Sequence, residues 1–232
     1  NSNIFISPTN PLRHVVWKIF WLVYRPICMD FTQQCLQKRH TSGVTSVAFH
    51  QSLPFLATNS ADNSTIIYDI STSPPTIKHH LKHHIDWVNS VAFHLSLPLL
   101  ATSSADKSTI LYDTSTSPPT VKYHLKHHTN AVISVAFHPS LPLFATFSGD
   151  NSTILYDIST SPPTVKHHLK HHTDFVMSVA FYPNLQLLAT GSSDKSTILY
   201  DFTTSPPTVK HHLKHHTDYV DSVSFHPSLP LL

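Results

Sequence analysis

The chain has 232 residues, of which 40% are apolar and 12% charged, so it is long enough for one large or two small domains with a buried core. Its formal net charge of +2 gives no electrostatic reason to expect binding to nucleic acid or to a membrane surface. The most apolar run, residues 15–24, is about half as long as the ~20-residue helix that spans a bilayer, and Lys18 interrupts it. Two cysteines are too few for a disulfide framework.

The first 40 residues show no clear pattern of their own, but they follow the register of the residues after them. Leu12 and Tyr24 stand 44 residues before Leu56 and Tyr68. We therefore interpret residues 1–40 as a degenerate partial repeat, and an unrelated leader is the alternative. The chain starts and stops within this pattern, which is typical of a fragment of a longer protein.

Residues 41–84 have the pattern of four short strands. β-branched and aromatic runs alternate with turn residues, and Asn63 occupies a tight turn because asparagine tolerates the left-handed conformation. Pro74 and Pro75 separate the third run from the fourth, since proline cannot donate to a sheet ladder. The predicted strands span residues 44–49, 55–60, 64–70 and 76–84.

The remaining chain repeats this unit every 44 residues. The string Ser-Val-Ala-Phe begins at residues 46, 90, 134 and 178, and it returns as Ser-Val-Ser-Phe at residue 222. A fixed period of this length indicates an array of one supersecondary unit. Four strands cannot bury both faces alone, so neighbouring units must stack. The predicted units span residues 41–84, 85–128, 129–172 and 173–216, with a partial unit at 217–232.

The segment LKHHTDFVMSVAF…LLATGSSDKSTILYD resembles the repeat of the WD-repeat β-propeller family almost position for position. Two signature positions differ, because Tyr-Asp replaces the usual Trp-Asp and His-His replaces Gly-His. The resemblance implies an all-β propeller with four complete four-stranded blades and partial or degenerate units at both ends. The pieces at the two ends would either close a five-bladed ring or leave an open arc.

Each complete unit contains Ser, His and Asp, the residue types of a catalytic triad. The resemblance implies instead a buried hydrogen-bond network that holds each blade together, with the Tyr as an uncertain fourth member. An active site would also occur once, not in several near-identical copies. The first copy is His40, Ser60, Asp62 and Tyr68. The other predicted network residues are His84, Ser104, Asp106, Tyr112, His128, Ser148, Asp150, Tyr156, His172, Ser192, Asp194 and Tyr200.

The chain contains 21 histidines, many of them in HHLKHH blocks on the predicted fourth strands. Histidines at alternate strand positions share one face and could chelate a transition metal. However, the blocks lack Cys or Glu companions, and Lys82 adds a repelling charge. We therefore expect a solvated histidine face, with no metal site and no cofactor, and a metal-binding or pH-responsive protein remains the alternative.

The four complete units differ from one another most at three positions, two of which open the first strand of each unit. Trp and Tyr are enriched at binding hot spots, and in family propellers this region faces the top surface, where partner proteins bind. The predicted partner-binding residues are Trp87, Asn89, Ala131, Ile133, Phe175, Met177, Tyr219 and Asp221.

These observations favour a non-enzymatic scaffold that binds other proteins or peptides, without nucleic acid or membrane, inside the cell in cytoplasm or nucleus. A truncated repeat fragment without independent function is a further alternative. The partner and the oligomeric state are left open by the sequence.

Overall fold

The computed structural model describes residues 39–183 and 185–226, which form strands joined by short turns and loops and contain no helix. No helix long and apolar enough to cross a membrane is therefore present in these two segments. The degenerate repeat predicted over residues 1–40 lies almost wholly outside the described residues. Closure of a five-bladed ring by the two ends of the chain therefore stays a prediction, since only residues 39–40 and 217–226 of those ends are described.

Within the described residues, the strands form four antiparallel sheets, each built from four consecutive strands. The first sheet contains β1 (Val44–Phe49), β2 (Phe55–Ser60), β3 (Thr65–Asp69) and β4 (Thr76–Leu81). The second contains β5 (Val88–Phe93), β6 (Leu99–Ser104), β7 (Thr109–Asp113) and β8 (Thr120–Leu125). The third contains β9 (Val132–Phe137), β10 (Leu143–Ser148), β11 (Thr153–Asp157) and β12 (Thr164–Leu169). The fourth contains β13 (Val176–Phe181), β14 (Leu187–Ser192), β15 (Thr197–Asp201) and β16 (Thr208–Leu213).

The predicted all-β propeller with four complete blades is thus confirmed, and local chemistry explains its turns. The turn between the second and third strands contains one residue in the left-handed region, such as Asn63 with a φ of 66° and Asn151 with 67°. The fourth strand of the first sheet ends at Leu81, earlier than predicted, because the chain beyond it turns inward and buries His84.

The first strand of each sheet carries a β-bulge near its start. Val88 pairs with Ser104 and Ser90 with Ser103, so Asn89 is an extra residue without a partner in the ladder. A bulge re-aims the side chain of its extra residue. The Asn89 amide indeed donates a hydrogen bond of 3.0 Å to the backbone oxygen of Val132, in the next sheet.

Consecutive sheets stack through their first strands, which makes β1, β5, β9 and β13 the inner strands of the arc. The apolar core lies between sheets: Ala57 and Ile67 of the first sheet form one buried cluster with Leu100 and Ile110 of the second. Burial of this apolar surface is the main force that holds neighbouring sheets together.

Serines of the Ser-Val-Ala-Phe string join the inner strands to one another. The Val91 backbone N–H donates to Ser46 Oγ at 3.3 Å, and Ser134 Oγ donates to Ser90 Oγ at 2.8 Å. The return of this serine every 44 residues therefore has a structural cause, since it connects the first sheet to the second and the second to the third.

Residues 217–226 continue the arc beyond the fourth sheet. The Val223 backbone N–H donates to Ser178 Oγ at 3.1 Å, as the Val91 N–H does to Ser46 Oγ three repeats earlier. Tyr182 packs edge to face against Phe225 with ring centroids 5.2 Å apart. This segment therefore occupies the place of the inner strand of a partial fifth unit.

Candidate functional site

The histidine that precedes each inner strand is held at both ring nitrogens. In the second unit, His84 Nδ1 lies 2.8 Å from Asp106 Oδ2, and His84 Nε2 lies 2.9 Å from Thr102 Oγ1. An ionised carboxylate only accepts hydrogen bonds, so Nδ1–H donates to Asp106 and Nε2 accepts from the Thr102 hydroxyl. The bond ties the loop before β5 to the turn between β6 and β7.

Asp106 is the hub of this network. Its carboxylate also accepts hydrogen bonds from the Ser108 hydroxyl at 2.5 Å and from the Ile85 backbone N–H at 3.1 Å. Burial alone would raise the pKa of the Asp106 carboxyl, but the hydrogen bonds from His84 and Ser108 outweigh burial and hold the pKa well below its usual value. Asp106 is therefore ionised over the physiological range.

The serine and the tyrosine predicted for this network have other partners. Ser104 Oγ accepts from the Asp106 backbone N–H at 3.0 Å and donates to the Asp86 backbone oxygen at 3.1 Å, so it closes the turn instead of binding His84. The Tyr112 hydroxyl lies 3.2 Å from His83 Nδ1. Burial raises the pKa of Tyr112.

Thr102 and Ser108 were not among the residues predicted from the sequence, although both recur on the 44-residue step. The equivalent residues are Thr58, Thr146, Thr190, Ser64, Ser152 and Ser196. A search for every polar residue that returns at this period would have found them.

The same constellation occurs in all four units. The Nδ1–Oδ2 distances are 3.0 Å for His40–Asp62, 2.8 Å for His84–Asp106, 2.9 Å for His128–Asp150 and 2.8 Å for His172–Asp194. The pKa values of Asp62 and Asp194 are lowered to about 2, because hydrogen bonds from Ser64 and Ser196, the backbone and the histidines outweigh the effect of burial. Each histidine is buried, as are its Thr and Ser partners.

The HHLKHH blocks lie on the outer strands and the loops after them. No group of three or more His, Cys, Asp or Glu side chains in residues 39–183 and 185–226 is arranged to hold a metal ion. In the fourth unit, His171, His212 and His216 line one cleft, but Lys195 and Lys214 line it too, and their charges would repel a cation.

The aromatic residues predicted to bind a partner are exposed. Trp87 is 56% exposed, Phe175 45% and Tyr219 58%, and each immediately precedes an inner strand or its equivalent in the partial unit. We call the segments 85–89, 129–133, 173–177 and 217–221 the inner-strand rim. These segments lie at the same end of the sheets as the turns between the second and third strands. The contact that shows this is a hydrogen bond from the Ala105 backbone N–H, in the turn between β6 and β7, to the Trp87 backbone oxygen.

The other residues predicted for partner binding are less accessible, apart from Asp221. Ala131, Ile133 and Met177 are half-buried, and so is Asn89, whose amide is already bonded to Val132. Ile133 and Met177 occupy the bulge position of their inner strands. The residue type at this position therefore varies partly because its side chain contacts the neighbouring sheet. The sequence alone does not show this contact.

Each aromatic residue of the rim follows a residue that fixes its backbone. Asp86 Oδ1 accepts from the Trp87 backbone N–H at 2.7 Å, and Asp174 and Asp218 do the same for Phe175 and Tyr219 at 2.8 Å. In the third unit, Asn130 Oδ1 accepts from the Ala131 N–H at 2.8 Å. The rim thus has one backbone geometry that accommodates either a large or a small side chain.

Comparison with known protein families gives one match. A family model described as WD domain, G-beta repeat matches residues 33–69, 75–113, 119–157 and 163–201, more than half of the chain. No curated protein matches the chain significantly. The second, third and fourth matched repeats each begin beside the outer strand of one sheet and end with the third strand of the next.

Proposed function

Because the chain belongs to the WD domain, G-beta repeat family, we propose that it is a non-enzymatic scaffold that binds partner proteins or peptides on the inner-strand rim. WD repeats stacked as blades are typical of proteins that mediate protein–protein interactions, and the family is generally non-enzymatic. The observation that carries the proposal is the exposure of Trp87, Phe175 and Tyr219 at one repeat position and at the same end of the sheets.

These three side chains suit binding because folding leaves much of their surface in water. Large aromatic side chains supply most of the energy at many protein interfaces. Outside the aromatic position the loop backbone is the same in each unit, so the rim presents a set of anchors on a rigid frame. One oxygen of the Asp or Asn side chain before this position fixes the backbone, whereas the aromatic rings are free to contact a partner.

The Ser-His-Asp constellations support a structural role and not hydrolysis. Thr102, Ser104 and Ser108 are fully buried, so their hydroxyl oxygens are closed to a substrate. The hydroxyl group closest to the His–Asp pair, Ser108 Oγ, donates to Asp106 and is not free for attack.

The proposal predicts that removing the aromatic anchors weakens binding without weakening the fold. In the variant Trp87→Ala/Phe175→Ala/Tyr219→Ala, we expect at least about a 30-fold loss of affinity for partners recovered by the parent chain, since one anchor contributes about 2 kcal/mol or more. Ala131 already occupies the same position in the third unit, so the backbone tolerates the change. The measurement is quantitative pull-down, with the thermal midpoint recorded for each variant.

The matched control removes three exposed apolar side chains from the opposite end of the sheets. Leu53, Leu97 and Leu185 lie in the loops between the first and second strands and are 48%, 42% and 49% exposed. Their replacement by Ala should leave partner recovery unchanged. Recovery that survives the aromatic triple variant, or that falls equally in the leucine variant, would contradict the proposal.

A further inference from the structure

The inner-strand rim combines its exposed aromatic rings with exposed carboxylates. Asp86, Asp174 and Asp218 directly precede the three aromatic residues, and Asp221 follows two residues after Tyr219. All four side chains are exposed, and the segments 85–89, 129–133, 173–177 and 217–221 contain no Lys or Arg. The aromatic anchors therefore lie in a locally negative surface.

The carboxylates are positioned to receive a ligand from solvent. In Asp86, Asp174 and Asp218, Oδ1 holds the backbone N–H of the next residue. No other described residue donates a hydrogen bond to the Oδ2 atoms of these three side chains. A free carboxylate oxygen on the residue before an exposed aromatic residue suits a planar guanidinium, a group that can both stack on a ring and donate to a carboxylate.

The positive charges at this end of the sheets lie further from the axis of the arc. Two lysines, Lys107 and Lys195, occupy turns between the second and third strands. Four more directly follow the outer strands, namely Lys82, Lys126, Lys170 and Lys214. A ligand with several adjacent cations would meet repulsion from these lysines, whereas a single cation would be drawn to the rim. The charge pattern therefore favours an isolated basic side chain over a polybasic run.

We propose that the partner segment bound by the inner-strand rim presents an arginine side chain, flanked by uncharged residues, to the aromatic–carboxylate pairs. The proposal rests on the proposed function, because it assigns a ligand chemistry to the same surface. The guanidinium group would bind at one of three equivalent pairs, which are Asp86–Trp87, Asp174–Phe175 and Asp218–Tyr219. Asn130–Ala131 lacks both the charge and the ring and contributes only to the frame.

The test is selection of short random peptides displayed on phage against the full chain, followed by binding assays on the selected peptides. We expect enrichment of single arginines. Replacing that arginine by Gln or Lys in a selected peptide should weaken binding about tenfold or more. Enrichment of acidic or wholly apolar peptides, or equal binding of the lysine form, would overturn the proposal.

Variants that replace Asp by Asn in the inner-strand rim test whether its negative charge contributes to binding, because they remove the charge and keep the shape of the side chain. Asp86→Asn/Asp174→Asn/Asp218→Asn keeps the backbone hydrogen bond, as Asn130 shows, and should lower affinity for the arginine peptide about tenfold. The matched control, Asp69→Asn/Asp113→Asn/Asp157→Asn, removes three carboxylates that also accept local backbone N–H groups, at the opposite end of the sheets. This control should bind the peptide as the parent does.

Two results distinguish failure of this inference from failure of the proposed function. If selected peptides lack arginine but lose affinity in the aromatic triple variant, the rim binds partners and the arginine assignment is wrong. If binding is unchanged in the aromatic triple variant, or if no peptide is retained by the chain, both the inference and the proposed function are contradicted.

Discussion

A buried histidine with partners at both ring nitrogens is the residue on which each unit depends. His84 lies in the loop before β5 and bonds both the hydroxyl of Thr102 in β6 and the carboxylate of Asp106 in the turn after β6, so it joins this loop to the far end of the same sheet's second strand. Buried polar groups require partners, and each group in this network satisfies another. The mutual satisfaction of these buried groups gives the recurring residues a role in holding each sheet to the loop before it.

Removal of the hub carboxylate should destabilise the fold. Asp106→Ala leaves the buried His84 and Ser108 without their acceptor, and we expect a loss of about 1–3 kcal/mol in the free energy of unfolding. Asp113→Ala is the control, since Asp113 also accepts from the N–H and hydroxyl of a serine two residues later but has no buried histidine. Chemical denaturation of both variants measures the effect, and equal stability of the two variants would refute the network.

The histidine, serine and aspartate of this site could be found from the sequence because they recur every 44 residues. Their hydrogen-bond partners could not be found in this way. The family resemblance implies one network for His84 and Asp106, and the two side chains are hydrogen-bonded to each other. The sequence does not reveal that Thr102 is the partner of Nε2 while Ser104 closes the turn. Thr102 and Ser104 are two residues apart and lie on the same face of β6, so strand alternation alone does not show which of the two hydroxyls bonds the histidine.

At the scale of strands, the sequence predicted the fold closely. The first two strands of the first sheet have the predicted bounds, because β-branched runs and turn residues define them locally. The bulges were not predicted, since they depend on pairing with the second strand. One consequence is that the variable position of Asn89 and Met177 is shared between the rim and the contact with the next sheet.

The third variable position, near the end of each second strand, is buried. Asn59, Ser103 and Phe147 are almost inaccessible, and Gly191 stands at the equivalent place in the fourth sheet. A Cβ atom on Gly191 would lie 2.8 Å from Val220 Cγ1 and 3.0 Å from the Val220 backbone oxygen. Variation here therefore adapts each sheet to the neighbour packed on it, and does not build a binding surface.

Two alanine substitutions at this position should have opposite consequences. Gly191→Ala forces the segment around Val220 to move, and we expect a loss of about 1–3 kcal/mol in the free energy of unfolding, as for other overpacked cores. Ser103→Ala removes a buried hydroxyl that has no hydrogen-bond partner among the described residues, so the variant should be as stable as the parent or more stable. Thermal denaturation compares them, and a Gly191→Ala protein as stable as the parent would show that residues 217–226 are not packed there.

At the scale of the whole molecule, the boundaries of the matched sequence repeats do not coincide with the boundaries of the sheets. Each complete matched repeat contributes the outer strand of one sheet and three strands of the next, so every repeat crosses a boundary between sheets. The stability of such an array depends on contacts between neighbours as much as on each unit. The end of the chain follows the same rule, since Val220 and Val223 pack on the fourth sheet.

Histidines also lie at the junctions between sheets, at the end of the inner strands opposite the rim. His50, His94 and His138 pack against a phenylalanine of the following sheet, with ring centroids 5.0–5.1 Å apart. His138 Nδ1 accepts from the backbone N–H groups of Ser140 and Leu141 at 3.1 and 2.9 Å, which places the proton of the neutral ring on Nε2. Burial lowers the pKa of His138 to about 4 and also lowers the pKa values of His50 and His94.

Stability should therefore fall as the solution is acidified from pH 6.5 to about 4. In this window the unfolded chain binds a proton at His138 while the folded chain does not, so protons favour the unfolded state. The buried Asp carboxyl groups have lowered pKa values, and their contribution is lost only below their ordinary value of 3.8, outside this window.

The variant His138→Tyr tests this account, because Tyr182 occupies the same repeat position in the fourth unit and is buried there. Tyrosine does not titrate between pH 4 and 6.5, so the variant should lose less stability than the parent over this range. We expect the difference to be on the order of 1–2 kcal/mol, after allowing for partial solvation of the imidazole. Free energies of unfolding measured at several pH values give the two slopes. Identical slopes for parent and variant would mean that His138 takes up its proton equally in both states and does not make sheet stacking sensitive to acid.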